Sequence, residues 1–115
     1  MQIIQQKAAN AYAVAATHRS HREQEADVFR GVNAALRVAR DRGGIIARVR
    51  ALADNDRLWI TVLGLVRDPA NSLPPALRAS LVSVGLAVQR EMQRDAPDLE
   101  FLIAVNENVA AGLSG

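Results

Sequence analysis

The chain has no cysteine among its 115 residues. That excludes a disulfide framework, a thiolate metal site and a cysteine nucleophile, and it leaves the redox compartment unconstrained. Histidine is limited to His18 and His21, both early in the chain. Aromatic residues are also few, one Trp, one Tyr and two Phe, so rigid apolar anchors are scarce. Lys7 is the only lysine, and the net charge of +2 is an arginine balance rather than a basic surplus. Nucleic-acid binding is therefore not expected, because a real footprint needs bases gathered on one face. No stretch approaches the roughly 18 consecutive apolar residues of a membrane span. Gln5, Gln6, Lys7 and Asn10 break up the N-terminal region, so no secretory signal is expected and the cytoplasm is the default location.

What is present is helical. The length suits one domain, residues 1–115, with a single core. Half the residues are hydrophobic, and 21 of them are Ala, which favours helices and close interfaces. Five helices are expected in an all-α bundle: 2–17, 20–42, 45–67, 75–94 and 97–112. The first has a thin apolar face of Ile4, Ala8, Ala11 or Tyr12, and Ala15, too weak to hold it alone. Ser20-His21-Arg22-Glu23 reads as a capping box opening the second. Its face is Phe29, Val32, Leu36 and Ala39, spaced 3, 4 and 3. Gly43-Gly44 ends it, since glycine accepts the left-handed terminal conformation.

The third helix is marked by Ile46, Val49, Leu52 or Ala53, Asp56, Trp59 or Ile60, Leu63 and Val66. Asp56 interrupts that stripe, either paired with arginine at its edge or buried as a polar pin with a partner. Trp59 is expected in the core, with one partner for its indole N–H. Asp68-Pro69 halts the helix, Asn71-Ser72 is turn chemistry, and Ser72 is a candidate N-cap before Leu73-Pro74-Pro75. Leu73 is expected to plug the core. Trp59, Leu73, Pro74, Phe29 and Leu36 are thus structural expectations. The fourth helix carries Leu77, Leu81, Val84 and Val88, widened by Val82 and Leu86. A face this broad is either central and surrounded or a docking surface. The last helix presents Leu99, Leu102 or Ile103, Asn106, Val109 and Leu113. Asn106 is either a satisfied core amide or a polar contact that fixes a partner's register.

Catalytic and metal chemistry finds no footing, so neither an enzyme nor a cofactor is expected. His18, His21 and Glu25 share helical spacing, but they straddle the cap at Ser20 and no further His or Cys completes a set. Asp54-Asn55-Asp56 lacks the glycine and distal glutamate of a calcium loop. Gly43-Gly44 follows no strand, so it is no phosphate loop.

Several short motifs, taken together and in order, resemble the FlaF flagellar proteins of alphaproteobacteria. They are Arg22-Glu-x-Glu25-Ala26-x-x-Phe29-Arg30-x-Val32-x-x-Ala35-Leu36, Asn55-x-Arg57-Leu58-Trp59, Asp68-Pro69-x-Asn71-x-Leu73-Pro74, Leu77-Arg78 and Asn106-x-x-Val109-x-x-Gly112-Leu113. The likeness spans nearly the whole chain, and the spacing between the second and third motifs is its most specific part. Two departures are visible: Leu86-Ala87-Val88 stands where an aromatic is expected, and Glu107 where the family often has arginine. The resemblance implies a cytoplasmic accessory protein for flagellin synthesis and export, a secretion chaperone whose partner is flagellin, with FlbT and the flagellar export apparatus as further partners. On that reading an apolar face would receive a helical segment of unfolded flagellin, from its C-terminal region. The partner-binding candidates are Leu77, Leu81, Val84, Val88, Asn106, Val109 and Leu113. Two other readings compete. One is RNA contact through Arg37, Arg40, Arg42, Arg48 and Arg50, which salt would weaken steeply. The other is a purely structural dimerisation module using the same apolar faces.

Overall fold

The computed structural model describes the backbone of residues 2–114 and the side chains of residue 9 and residues 22–114. Four helices make up the fold: α1 Gln2–Arg42, α2 Ile45–Arg67, α3 Pro75–Met92 and α4 Leu99–Ser114. The all-α class is as expected, but the first two expected helices are one. Neither Gly nor Pro occurs between residues 17 and 23, so nothing interrupts the hydrogen-bond ladder. A serine in a helix interior is tolerated, and a capping box acts only where the backbone has already left the helix. The capping side chain of Ser20, the face on Ile4, Ala8, Tyr12 and Ala15, and both histidines lie outside the described side chains.

At about 1.5 Å per residue, α1 spans about 62 Å, nearly the whole 64 Å long axis of the molecule. That one helix explains a radius of gyration of 17.7 Å, where a compact domain of this length has about 13 Å. α1 packs against α4 and α2, and α2 against α3. The core is built from Phe29, Leu36 and Ala39 of α1, Ala51 and Trp59 of α2, Val88 of α3, and Leu99, Leu102, Ile103 and Ala110 of α4. Phe29 meets Trp59 edge to face, with ring centroids 5.9 Å apart, a favourable aromatic geometry.

The turns follow the local chemistry. Gly43 and Gly44 adopt φ of 71° and 96°, a region costly for residues with a Cβ. Between α2 and α3 the corner is tied by side chains rather than by core packing. Asp68 Oδ1 accepts from the Ala70 N–H, and Asn71 Oδ1 from the Leu73 N–H, each at 2.9 Å. Asn71 Nδ2 donates back to the Leu65 carbonyl. Arg78 donates to the Val66 and Asp68 carbonyls, satisfying the end of α2.

Two expectations for this corner are corrected. Pro74, not Ser72, precedes the first turn of α3, and it gives no side-chain cap. Leu73 is only half-buried and stands outside the core. The corner is tied instead by the side chains of Asp68, Asn71 and Arg78. Pro74 is exposed and acts through its extended backbone, φ −54° and ψ 142°.

Three boundaries also move. α3 stops at Met92, where the Gln93 N–H turns to the carbonyls of Arg90 and Glu91. α4 begins at Leu99, with the Asp98 carboxylate accepting from the Phe101 N–H at 3.2 Å, and it runs through Gly112 to Ser114. Gly112 stays helical because half-buried Leu113 beyond it packs on the core.

The buried face of α2 is Ala51, Asn55, Trp59, Leu63 and Val66, rotated from the expected stripe. Ile46 and Val49 are 66% and 59% exposed, and Asp56 is half-buried at the side. Asn55 turns inward in its place. A neutral amide can be satisfied by other amides, whereas a buried carboxylate would need a cation.

Candidate functional site

At the centre of the bundle lies a buried amide network. Asn33 of α1, Asn55 of α2 and Asn106 of α4 are the buried polar residues, each at most 1% exposed. Asn106 Nδ2 donates to Asn55 Oδ1 at 2.8 Å and to Asn33 Oδ1 at 3.0 Å. Its Oδ1 accepts from the Trp59 indole N–H at 2.9 Å. Asn33 Nδ2 donates to the Ile103 carbonyl, and Asn55 Nδ2 reaches the Met92 sulfur of α3. No buried side-chain polar atom among the described residues lacks a partner. The network touches all four helices and fixes their registers. It is closed to solvent, so it orients the surfaces around it.

Those surfaces are uneven. α3 buries only Gly85 and Val88. At Gly85 an added Cβ would fall 2.6 Å from Leu63 Cδ2, so α3 rides closely on α2 there. α3 and α4 have no extended packing against one another. The bundle therefore runs α4, α1, α2, α3 in space and is open between its two ends. Val84 of α3 and Val105, Val109 and Leu113 of α4 pack on the core but are only partly covered. A shallow cleft of about 370 Å³ bounded by Ala87, Arg90, Glu91, Arg94, Asp98 and Phe101 lies where α3 ends and α4 begins.

The partner-binding candidates divide on this geometry. Leu77 is 46% exposed, and Leu81, Val84, Val109 and Leu113 are half-buried. Val88 and Asn106 are buried, at 1% and 0%, and offer no surface. Val88 belongs to the core cluster, and every polar atom of the Asn106 side chain is used inside the chain. Phe101 and Leu86, 38% and 41% exposed, were not among the candidates. Phe101 lies off the apolar spacing of α4, so periodicity does not single it out.

Charged groups brace α1 against α4. Arg37 pairs with Glu107, and Arg40 with both Asp41 and Glu100. The Arg40 hydrogen bond holds the Asp41 carboxyl below its ordinary value, against a smaller opposing effect of desolvation. Asp41 and then Glu100, by hydrogen bonds, raise the Arg40 guanidinium further above its already high value. Arg48 donates to the Pro97 carbonyl. Of the five arginines around the Gly43-Gly44 turn, only Arg42 and Arg50 lack a partner among the described residues. That weakens the RNA reading, since phosphate contact would have to break the other pairs.

Among the described residues, no group of His, Asp or Glu is suited to a metal, and no helix is long and apolar enough to cross a membrane. Comparison with curated proteins and with solved structures gives no match. A family model described as "Flagellar protein FlaF" matches residues 8–113. The match covers every motif on which the sequence resemblance rests, including Asn55 and Trp59, the corner residues Asp68 and Asn71, and Asn106. The chain belongs to the FlaF family of flagellar proteins.

Proposed function

We propose that the chain is a flagellin-binding secretion chaperone that supports flagellin synthesis and export, and that its client is a helical segment from the C-terminal region of unfolded flagellin. The carrying observation is the open side of the bundle. α3 packs extensively on α2 only, and partly covered core-packed residues lie along both α3 and α4. An amphipathic client helix laid between them would complete the ring, with anchors spaced 3 and 4 residues apart meeting Leu77, Leu81, Val84, Val109 and Leu113. The α1 and α2 framework, pinned by its amide network, holds that seam in shape before the client arrives, which lowers the ordering cost of binding. The reading requires the cytoplasm, where flagellin waits before export, and it makes FlbT and the export apparatus natural further partners.

The test is substitution on the seam. Leu81→Asp should abolish binding of purified flagellin, measured by calorimetry, while circular dichroism retains the native helix content. A variant that unfolds would show Leu81 to be structural. A folded variant that still binds at the native affinity would reject the seam as the client site.

A further inference from the structure

The outer side of α2 carries an apolar stripe and two charges that the bundle leaves unmatched. Ile46, Val49 and Ile60 are 66%, 59% and 53% exposed, and Ala53 lies between them at the surface. At about 100° and 1.5 Å per residue, these residues fall within about 60° of arc and along about 21 Å of helix. Their side is turned away from Ala51, Asn55 and Trp59, which face the core. Asp56 is half-buried and Arg50 exposed, and neither has a partner among the described residues.

The order of these residues is a palindrome about Ala53. Ile46 and Ile60 stand seven residues before and after it, and Arg50 and Asp56 three before and after it. A two-fold axis at Ala53 turns such a pattern into self-complementarity. In an antiparallel pair of α2 helices centred there, Ile46 meets Ile60 of the other copy at each end, and the two Ala53 side chains meet in the middle. Arg50 comes level with Asp56 of the other copy. The two charges lie about 60° to either side of Ala53, so each arginine crosses the seam over the small alanines to reach a carboxylate. At the about 8–10 Å separation of packed helices, an arginine is long enough to do so. On the rim Arg50 also nears Arg57 of the other copy, but Arg57 arrives already paired with Asp54. Each copy thus brings Arg50 and Arg57 against Asp54 and Asp56, and no net charge opposes the contact. A parallel pair would instead set Arg50 level with Arg50 and Asp56 level with Asp56, so the charges select the antiparallel direction.

We propose that two copies of the chain pair antiparallel through the outer face of α2, on a two-fold axis at Ala53, with Arg50 of each copy bound to Asp56 of the other. The isoleucines supply the apolar contact, and the charges set direction and register. A contact between two helices of this length is smaller than the about 800 Å² per partner of a standard interface, which makes the dimer concentration-dependent. This face is distinct from the seam between α3 and α4, and the pairing stands whether or not that seam takes flagellin.

Sedimentation of the full chain from about 10 µM to about 1 mM should show monomer passing to dimer. Arg50→Asp alone, or Asp56→Arg alone, should weaken the dimer about tenfold or more. The two together should restore it, because the exchanged charges again lie level. Ile60→Asp should abolish the dimer with the circular dichroism spectrum unchanged. The absence of cysteine from the chain allows a second readout. Ala53→Cys should give a disulfide-linked dimer on mild oxidation, whereas Ser83→Cys, exposed on α3, should not. A monomer throughout the range, no recovery in the double variant, or equal cross-linking at the two positions would overturn the proposal. So would loss of flagellin binding in the Ile60→Asp variant, which would assign the stripe to the client instead.

Discussion

Asn106 is the residue on which most depends. Its amide serves Trp59, Asn33 and Asn55 at once. Asn106→Leu keeps a similar volume but orphans an indole N–H and two amide oxygens in the core. Each unmet group costs about 1–3 kcal/mol, so the variant should lose at least about 3 kcal/mol in urea unfolding. A loss under about 1 kcal/mol would mean that the network is dispensable. Asp41 offers a contrast. Its depressed pKa contributes stability that is present above the unfolded value and lost as pH falls through the folded one. The pair with Arg40 joins adjacent residues, so much of it survives unfolding, and Asp41→Asn should leave the acid-unfolding midpoint nearly unchanged. At this scale the sequence was partly legible. Trp59, Phe29 and Leu36 announced themselves as core by size and spacing. Asn106 stood on an apolar face, which left open whether its partner was internal. Asn55 was obscured by its neighbour Asp56: the expected stripe ran through Asp56, and the two residues stand about 100° apart around the helix, so a modest rotation of α2 brings Asn55 inward instead.

Among the elements, the corner between α2 and α3 is held by polar side chains, which makes it separable from the core. Asn71→Ala removes the bond to Leu65 and the one to Leu73 together. It should lower stability by about 1–2 kcal/mol and raise amide exchange in the last turn of α2 before any global unfolding. Uniform exchange across the molecule would instead tie the corner to the core. Helix existence was readable from periodicity and from the Gly43-Gly44 and Asp68-Pro69 stops. The false boundary near Ser20 shows why caps mislead: a Ser-x-x-Glu pattern permits a helix start, but only a break in the ladder creates one, and no Gly or Pro is there to make it. The rotation of α2 was hidden for a different reason. Its apolar residues surround much of the helix, so Ile46 and Val49 fit a core stripe as well as an outer one.

The molecule as a whole is a bundle of four helices in the spatial order α4, α1, α2, α3, without extended packing between α3 and α4. The sequence supplied the helical class and the family, and it pointed to a broad apolar face on residues 77–92. It could not separate the buried Val88 from the exposed Leu77, because that depends on α3 touching α2 alone. The central claim is that the open seam receives flagellin through apolar contact. Co-purification of the chain with flagellin, followed by sizing at low and at high salt, tests it most directly. The account predicts a discrete complex at both salt concentrations, since an apolar seam is insensitive to screening. Failure to recover flagellin at either, or a complex that dissolves as salt rises, would contradict it.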